Sequence, residues 1–359
     1  MERIYWLWLS MLPYVGPILQ KKLLDSCGTP ENVYLLNEEE LKNCFTEHGS
    51  RVGSSRAVES ISQNRSLEKA KRINEVCAKK NISIVTIDHP NYSMLARPCP
   101  ESPIVLYVKG ALKQTQTSVA IVGSRRCSAY GKKITQQIAA EISNKNVAII
   151  SGMAKGIDGY AHTTAIKNGG YTIAFLANGV DLCYPAEHRI LYESMIDNGA
   201  ILSKYPPGTI AYPKYFLERN ALISAWAEQL IIIEAGERSG ALTTAKFAHK
   251  YNREIFAVPN RIDNPSGMGS NKLLETIAKP YLGIHSLKGL GETSAPKIQK
   301  EDFLLPNEIK LLSILEQVPR QIVEVQKLLN ISQVNFEELI FKLELKGKVK
   351  IYGEFILLK

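Results

Sequence analysis

The sequence lacks several features that would assign it to a common class of protein. Its six cysteines include no C-x-x-C pair, so we expect no zinc cage, and their scattered spacing fits reduced thiols in a cytosol. The G-x-G-x-x-G dinucleotide fingerprint, the G-x-x-x-x-G-K-S/T phosphate loop, a Ser-His-Asp order and a metal-ligand cluster are also missing. We therefore expect no catalytic residue, no cofactor and no bound metal.

Long apolar runs are absent too, because none reaches the ~20 residues that span a bilayer. The N-terminus, MERIYWLWLSMLPYVGPIL, resembles a signal peptide. However, Pro13 and Gly16 interrupt it, no small-residue cleavage site follows, and periodic apolar positions continue from Ile18 to Leu24. We interpret the stretch as a packed helix and expect a cytoplasmic protein without membrane contact.

Basic residues exceed acidic ones, with 44 Lys and Arg against 35 Asp and Glu, and the net charge is +9. The excess lies in the middle of the chain, because residues 300–359 contain nine basic and nine acidic side chains. A positive balance favours an anionic partner but does not define a fold. The length of 359 residues predicts about two or three domains.

Residues 1–78 are predicted to form an N-terminal helical domain. Within LPYVGPILQKKLLDSCG, a turn at Pro13–Gly16 precedes a helix that ends near Gly28, a pattern typical of a helix-hairpin-helix or SAM-like unit. Such hairpins grip DNA phosphates through backbone N–H groups, but the second hairpin glycine is missing here. A plain helical packing module is an equally open interpretation.

Residues 79–289 alternate short apolar strands with amphipathic helices. This alternation indicates an α/β fold with a doubly wound parallel sheet, in which ligands bind at the carboxyl ends of the strands. The predicted strands are Ser83–Ile87, Ile104–Lys109, Ser118–Val122, Ala148–Ser151, Thr172–Leu176, Ala200–Ser203, Gln229–Glu234 and Glu254–Val258.

Residues 290–303 are polar, lack an apolar period and are predicted to be a linker. Residues 304–359 then show three helical stretches, Asn307–Gln317, Ile322–Leu329 and Ser332–Lys346, and two alternating runs hinged at Gly353. Three helices and a hairpin are typical of a winged-helix domain. Because this segment has no net charge and DNA binding needs basic side chains, a protein-contact or spacer role stays open.

Glycine, serine and basic residues follow several successive predicted strands. Glycine lets a backbone approach a ligand closely, and backbone N–H groups at helix starts bind anions. A row of such turns along one sheet edge indicates a groove, in which guanidinium groups bind phosphate bidentately. The candidate phosphate contacts are Arg125, Lys155, Arg219 and Lys246, beside Arg126 and Arg238 in loops where neighbours can face opposite ways. Surface ion pairs are the alternative role for these side chains.

Asp158 and His162 are four residues apart, a spacing that places both on one face of a helix. A catalytic dyad is one interpretation. Capping or loop fixing is the other, and we expect Asp158, His162 and Asn178 to fix loops. The aromatic residues near these loops either stack on bases, as in single-strand binders, or belong to the core. They are Tyr184, Tyr212, Tyr215 and Phe216.

Seven ordered motifs together resemble the DNA-processing protein A family (DprA, also called Smf). They are IVGSRRCSAYG, SGMAKGIDGYAH, EHRILY, YPPG, FLERNALIS, EAGERSGALTTA and FAVPN, and they cover roughly residues 80–285. The resemblance implies an extended Rossmann-like fold that binds single-stranded DNA without strong sequence preference. It also implies a non-enzymatic homodimer, formed through the Rossmann-like domain, that protects incoming strands in natural transformation and loads the RecA recombinase.

Carried onto this chain, the resemblance implies a set of DNA-contacting positions. They are Gly123, Ser124, Arg125, Gly152, Lys155, Arg219, Asn220, Ser239 and Gly240. Three positions depart from the family motifs: Lys204 adds a positive charge, Ala221 replaces a second arginine, and Asn260 replaces a glycine.

Two other functions compete with DNA binding. Related Rossmann-like enzymes cleave nucleoside monophosphates with a glycine-rich loop and a glutamate, and EAGERSGALTTA offers Glu234 and Glu237. Against this, the tight G-G-x-G-T pattern of those enzymes is missing. The other alternative is a pure interaction protein whose groove no longer binds nucleic acid.

Overall fold

The computed structural model describes residues 2–47, 54–290, 306–315, 320–333, 335–336, 339–340, 343, 348–352 and 355–358. The chain divides into two compact units, Met1–Gly291 and Glu292–Lys359. The first unit contains both the N-terminal helices and a large sheet. All of the predicted linker after residue 290 lies outside the described residues.

Six helices precede most of the sheet: α1 (Glu2–Ser10), α2 (Pro17–Cys27), α3 (Pro30–Leu35), α4 (Glu38–Glu47), α5 (Ser54–Gln63) and α6 (Glu68–Lys79). Gly28 ends α2 with a φ of +78°. The Thr29 hydroxyl then caps α3 by accepting from the Asn32 N–H at 3.1 Å. Helix α1 buries Trp6–Leu9 in the same apolar core as Tyr107 of the sheet, so the helices and the sheet pack as one body.

Within the described residues the sheet has nine strands in the order β1-β2-β6-β5-β4-β3-β7-β8-β9. The strands are β1 (Ser83–Thr86), β2 (Val105–Gly110), β3 (Ser118–Val122), β4 (Ala148–Ser151), β5 (Thr172–Phe175), β6 (Gly199–Ser203), β7 (Gln229–Ile232), β8 (Glu254–Ala257) and β9 (Lys279–Pro280). Strands β3 to β9 pair in parallel, whereas β1 pairs antiparallel with β2 and β2 antiparallel with β6. The sheet is therefore mixed and mostly parallel, which corrects the prediction of a wholly parallel sheet.

Helices cover both faces of the sheet: α7 (Ala129–Ser143), α8 (Ile157–Lys167), α9 (Arg189–Asn198), α10 (Pro213–Trp226), α11 (Gly240–Lys250) and α12 (Met268–Leu274). Alternate residues of β3 show the two layers. Val119 and Ile121 pack with α7 and α8, whereas Ala120 and Val122 pack with α10 and α11. No helix in the described parts of the chain is both long and apolar enough to cross a membrane.

The strand order reverses at β3. From β3 the chain moves through β4 and β5 to β6 on one side, and then returns to place β7 and β8 on the other side. In doubly wound folds, ligands bind where the order reverses, in the crevice at the carboxyl ends of the strands. The ends of β3 and β7 are therefore the expected location of a site.

The second unit has a separate apolar core, which includes Leu311, Val325 and Ile356. Its described elements are α13 (Pro306–Leu315), β10 (Arg320–Gln321), α14 (Ile322–Leu329), β11 (Val349–Tyr352) and β12 (Phe355–Leu358). The strands pair antiparallel in the order β10-β12-β11. The predicted third helix, 332–346, is described only in part, and Gly353 lies outside the described residues.

Candidate nucleic-acid interface

The loops after β3 and β7 enclose a cleft of about 560 Å³ at the point where the strand order reverses. Gly123–Arg126 line it from the first loop, and Arg238–Gly240 line it from the second. Helix α10 supplies Phe216, Arg219 and Asn220. The fold thus collects in one cleft most of the residues that the sequence suggested as phosphate contacts.

The glycines at these strand ends fit the loops to one another. A Cβ on Gly123 would lie 2.7 Å from Cγ1 of Ile157 and 3.0 Å from the Glu234 carbonyl oxygen. Gly156 has a φ of +76°, and a Cβ there would lie 2.3 Å from the Ser124 carbonyl oxygen. The Ser124 N–H also donates to the Glu234 carbonyl at 2.7 Å. These contacts fix the loop that carries Arg125, and they give the glycines a packing role that the sequence did not suggest.

Arg125, Arg126 and Arg238 surround the cleft with exposed side chains. Within the described parts of the chain, no acidic side chain forms an ion pair with any of them. The Arg125 guanidinium carbon lies 5.0 Å from the centre of the Phe216 ring, a cation–π distance. The cleft therefore presents three cations to an anionic ligand, one of them above an aromatic ring.

Arg219 differs from these three because its side chain is only 5% exposed. Its Nη1 donates to the carbonyls of Gly152 and, at 2.8 Å, Phe175, and its Nε donates to Asn220 Oδ1 at 3.0 Å. Burial lowers the Arg219 pKa to about 10, so the group keeps its charge at neutral pH. A Cβ on Gly152 would lie 2.2 Å from this guanidinium. Arg219 thus fastens α10 to the ends of β4 and β5 and places a positive charge beneath the cleft.

Asp158 lies at the start of α8, where its carboxylate holds the loop after β4. Its Oδ2 accepts from the backbone N–H groups of Gly152 at 3.2 Å and Ala154 at 3.4 Å. Burial raises the Asp158 pKa, and the nearby Arg219 charge opposes that rise. The carboxylate is therefore engaged in loop hydrogen bonds.

His162 and Asn178 are buried hydrogen-bonding groups of the same region. His162 Nδ1 lies 2.7 Å from the Thr172 hydroxyl, and burial lowers its pKa to about 3, which makes it a neutral imidazole. Asn178 Nδ2 donates to the carbonyls of Gly179 at 2.9 Å and Leu182 at 2.7 Å. Asp158 and His162 form hydrogen bonds with different partners, which disfavours a catalytic dyad.

Helices α7 and α11 start near the cleft, and a serine caps each of them. The Ser128 hydroxyl accepts from the Gly131 N–H at 3.0 Å at the start of α7, and the Ser239 hydroxyl accepts from the Ala241 N–H at 3.3 Å at the start of α11. Asn220 Nδ2 donates to the Gly240 carbonyl at 3.2 Å and ties α10 to α11. Helix N-termini carry partial positive charge. The start of α11 lines the cleft and adds to its cationic character, whereas the start of α7 is bonded to the Glu234 carboxylate and does not line the cleft.

The two predicted lysine contacts lie outside this cleft. Lys155 lines a cavity of about 60 Å³ beside it, with Tyr184 and Phe216, and forms an ion pair with Glu187. Lys246 is exposed about two turns into α11 and lines neither cavity. Its sequence position near a strand end did not reveal that the helix carries it away from the edge.

Comparison with known proteins identifies the family. The family model described as "DNA recombination-mediator protein A" matches residues 83–288, more than half of the chain and the whole region that carries the cleft. The chain belongs to this family. The match covers the sheet and its helices, so the α/β fold and the family assignment agree.

Individual relatives agree with the family model. A protein named Smf from Synechocystis is 32% identical over 313 residues, which cover 86% of this chain and 77% of that protein. The X-ray structure of DprA from Streptococcus pneumoniae has a TM-score of 0.62 at 31% identity and covers 77% of this chain and 93% of that chain. The structure of DprA from Helicobacter pylori, described for its single-stranded DNA binding mode, has a TM-score of 0.52 at 31% identity. The latter match covers 57% of this chain and 93% of that chain.

Two departures from the DprA motifs have structural explanations. Lys204 pairs with Glu218 at 2.9 Å, so its extra positive charge is locally compensated. Ala221 is fully buried in α10, where the side chain packs in the interior of this family member.

Glu234, suggested as a catalytic residue of the competing enzyme, does not line the cleft. Its side chain is fully buried, and its Oε2 accepts from the Ser128 N–H at 3.0 Å and the Ser128 hydroxyl at 2.8 Å. The carboxylate fixes the start of α7 to the end of β7. Glu237 is exposed and pairs with Lys272 at 2.5 Å.

Sequence reasoning missed Ser128, Pro265 and Ser266, and it named Glu234 only for the competing enzyme. Ser128 and Glu234 join the two loops from beneath, and Pro265 and Ser266 complete the rim. A serine before an amphipathic segment is typical of a helix cap and could have identified Ser128, but its partner Glu234 is 106 residues away in the chain. Local patterns cannot identify such a pair.

Proposed function

We propose that this DprA family member binds single-stranded DNA in the cleft between the β3 and β7 loops. The observation that carries the proposal is the set of three exposed guanidinium groups, Arg125, Arg126 and Arg238. None has an acidic partner within the described residues, and the N-terminus of α11 lies beside them. The structure of DprA from Helicobacter pylori, described for its single-stranded DNA binding mode, supports the same ligand class.

Aromatic rings favour a single strand over a duplex as the ligand. Phe216 lies under Arg125, and its ring centre is 5.7 Å from that of Tyr184. Unpaired bases stack on such rings irrespective of sequence, whereas paired bases are not free to do so. Three arginines also exceed what the single pyrophosphate of a dinucleotide needs, since backbone N–H groups alone can hold that group.

The remaining predicted contacts fall into two groups in this proposal. Gly123, Ser124, Ser239 and Gly240 present backbone and hydroxyl groups to phosphates along the rim, and Asn220 lies between them. Arg219 and Gly152 act from below, where the buried charge attracts phosphate and the contact between the two fixes the loop. Lys155 and Lys246 lie farther along the surface and contact only a strand that extends beyond the cleft.

The proposed function is binding without catalysis. Glu234 is turned into the protein towards Ser128. Asp158, the acidic residue that lines the cleft, is buried, and its carboxylate accepts from the Gly152 and Ala154 N–H groups. Incubation with nucleoside monophosphates tests this point, because the phosphoribohydrolase-like alternative requires release of free base. We expect none, while a labelled single strand binds the same preparation.

Family membership supports a wider role. We propose a cytoplasmic homodimer, formed through the Rossmann-like domain of residues 79–289, that protects single strands in natural transformation and loads the RecA recombinase onto them. We also propose that residues 1–78 form a helical domain and residues 304–359 a winged-helix domain whose zero net charge suits a protein contact. Recombinase assembly on a single strand, measured with and without this chain, tests the loading step.

A further inference from the structure

A second groove lies beside the cleft, between helices α8 and α9. It has a volume of about 460 Å³ and runs from Gly156, next to Lys155, to Lys167 and Ser194. Tyr160 and Ile190 stand on its walls, and the Ile190 side chain is 81% exposed. The groove and the cleft are thus separated by the segment that carries Lys155.

The charges around this groove match those of a polyanion site. Lys132 lies with its ammonium 5.0 Å from the centre of the Tyr160 ring, and Lys167 is exposed at the far end. Neither lysine forms an ion pair with a residue that the structure describes. A cation above an aromatic ring is the combination with which single-strand binders hold a phosphate and its base.

Glu187 is the one acidic residue among those lining the groove, and it stands at the end nearest the cleft. There it forms an ion pair with Lys155, and both side chains remain more than half exposed. Exposed ion pairs of this kind contribute little to stability, so an incoming phosphate can replace the carboxylate at small cost.

We propose that a strand bound in the cleft continues past Lys155 into the groove between α8 and α9, and that it displaces Glu187 from Lys155 as it crosses. Tyr160 then stacks with a base, and Lys132 and Lys167 hold the adjoining phosphates. This inference rests on the proposed function, because it extends the path of the same strand.

Binding of oligothymidines of graded length to the full chain tests the path. Tyr160→Leu should raise the Kd of long oligomers about five- to a hundredfold, the range of one lost base stack, and leave the shortest bound oligomer unchanged. Tyr130→Leu is the control, because it removes an exposed ring of α7 outside both cavities. Equal effects on all lengths, or no effect, would exclude the groove and leave it free for a protein partner.

The crossing point is tested with Glu187→Gln in the same assay. We expect tighter binding of long oligomers by about two- to fivefold, within the range of an exposed ion pair, and no gain in a Lys155→Ala background. Glu193→Gln removes an equal charge from α9, where Glu193 pairs with Arg189 at 3.5 Å, and should change little. Equal gains from both glutamate variants contradict displacement.

Failure of this inference can be distinguished from failure of the proposed function. If the wild type binds strands and neither Tyr160→Leu nor Glu187→Gln changes that binding, the proposed function stands and the path through the groove is wrong. A wild type and a Glu187→Gln variant that both bind no strand contradict both proposals. Binding that appears only in the Glu187→Gln variant would support the proposal that Glu187 must leave Lys155 before a strand can bind there.

Discussion

The arginines of this fold divide into exposed groups that face the cleft and one buried group that supports it. Arg125 is exposed above Phe216, whereas Arg219 donates to the carbonyls of Gly152 and Phe175. Both arginines were predicted to have the same role, because residue type and proximity to a strand end do not reveal burial. The acceptors of Arg219 lie at the ends of β4 and β5 and are 67 and 44 residues away in the chain.

This division predicts unequal effects on stability for two alanine substitutions. Arg219→Ala should lower the free energy of unfolding by about 3–5 kcal/mol, because two buried carbonyls lose their donor and Asp158 loses the charge that opposes its desolvation. Arg125→Ala should change it by no more than about 0.5 kcal/mol, as for an exposed side chain. Urea denaturation measures both values, and equal losses would contradict the assigned roles.

The lowered pKa of His162 predicts that the folded protein loses stability in mild acid. Burial, together with the nearby His188 and Arg219, lowers its pKa from the usual 6.5 to about 3 in the folded protein. Below pH 6.5 the unfolded chain therefore binds a proton at this histidine that the folded chain does not bind. The free energy of unfolding decreases as pH falls towards 3. The slope is about 1.4 kcal/mol per pH unit for one proton.

Urea midpoints between pH 7 and pH 5 check this prediction against His162→Gln, which removes the titrating group. The variant should show a flatter pH dependence over this window, whatever its absolute stability. A wild type and variant with parallel curves would show that His162 does not carry the effect.

At the scale of elements, the turns after β3, β4 and β7 depend on one another. Gly156 at the start of α8 supports the Ser124–Arg125 backbone, and the Ser124 N–H bonds to Glu234 at the end of β7. The position of Arg125 is therefore set by two neighbouring turns as well as by its own. A change in one turn should be detectable as a change in binding at another.

Gly156→Ala tests this coupling. It places a Cβ against the Ser124 carbonyl at a positive φ, so we expect a stability loss of more than about 1 kcal/mol and weaker binding of single strands without any change in charge. Gly169→Ala is the matched control, because Gly169 has a φ of +68° and open space around it. The control should lose stability through backbone strain alone and bind strands normally; weaker binding there would argue against the coupling.

Most elements of the sheet could be predicted from the sequence, but their directions could not. Eight predicted strands correspond to β1–β8, since short apolar runs between amphipathic segments identify buried strands. An apolar run contains no information on its direction, and the antiparallel pairing of β1 and β2 escaped prediction. The two-residue β9 (Lys279–Pro280) is too short to give a periodic signal.

At the scale of the whole molecule, the N-terminal helices and the sheet share one core. Trp6–Leu9 of α1 pack in the cluster that contains Tyr107 and Ile201 of the sheet. The sequence indicated a helical segment with an apolar face, but such a face does not specify the surface that covers it. The charge distribution was more informative, because the middle segment with the basic excess is the one that carries the cleft.

The central claim is that exposed arginines in the cleft bind the phosphates of a single strand. Its most direct test is fluorescence anisotropy with a labelled oligonucleotide, single- and double-stranded, over a salt series. Wild type is compared with Arg125→Ala and with Arg72→Ala, which removes an exposed arginine from α6 as a control. We expect single strands to bind more tightly than duplex, affinity to fall steeply with salt, and Arg125→Ala alone to cost about 1–3 kcal/mol. Absence of binding at low salt, or equal losses from the two arginine variants, would contradict the account.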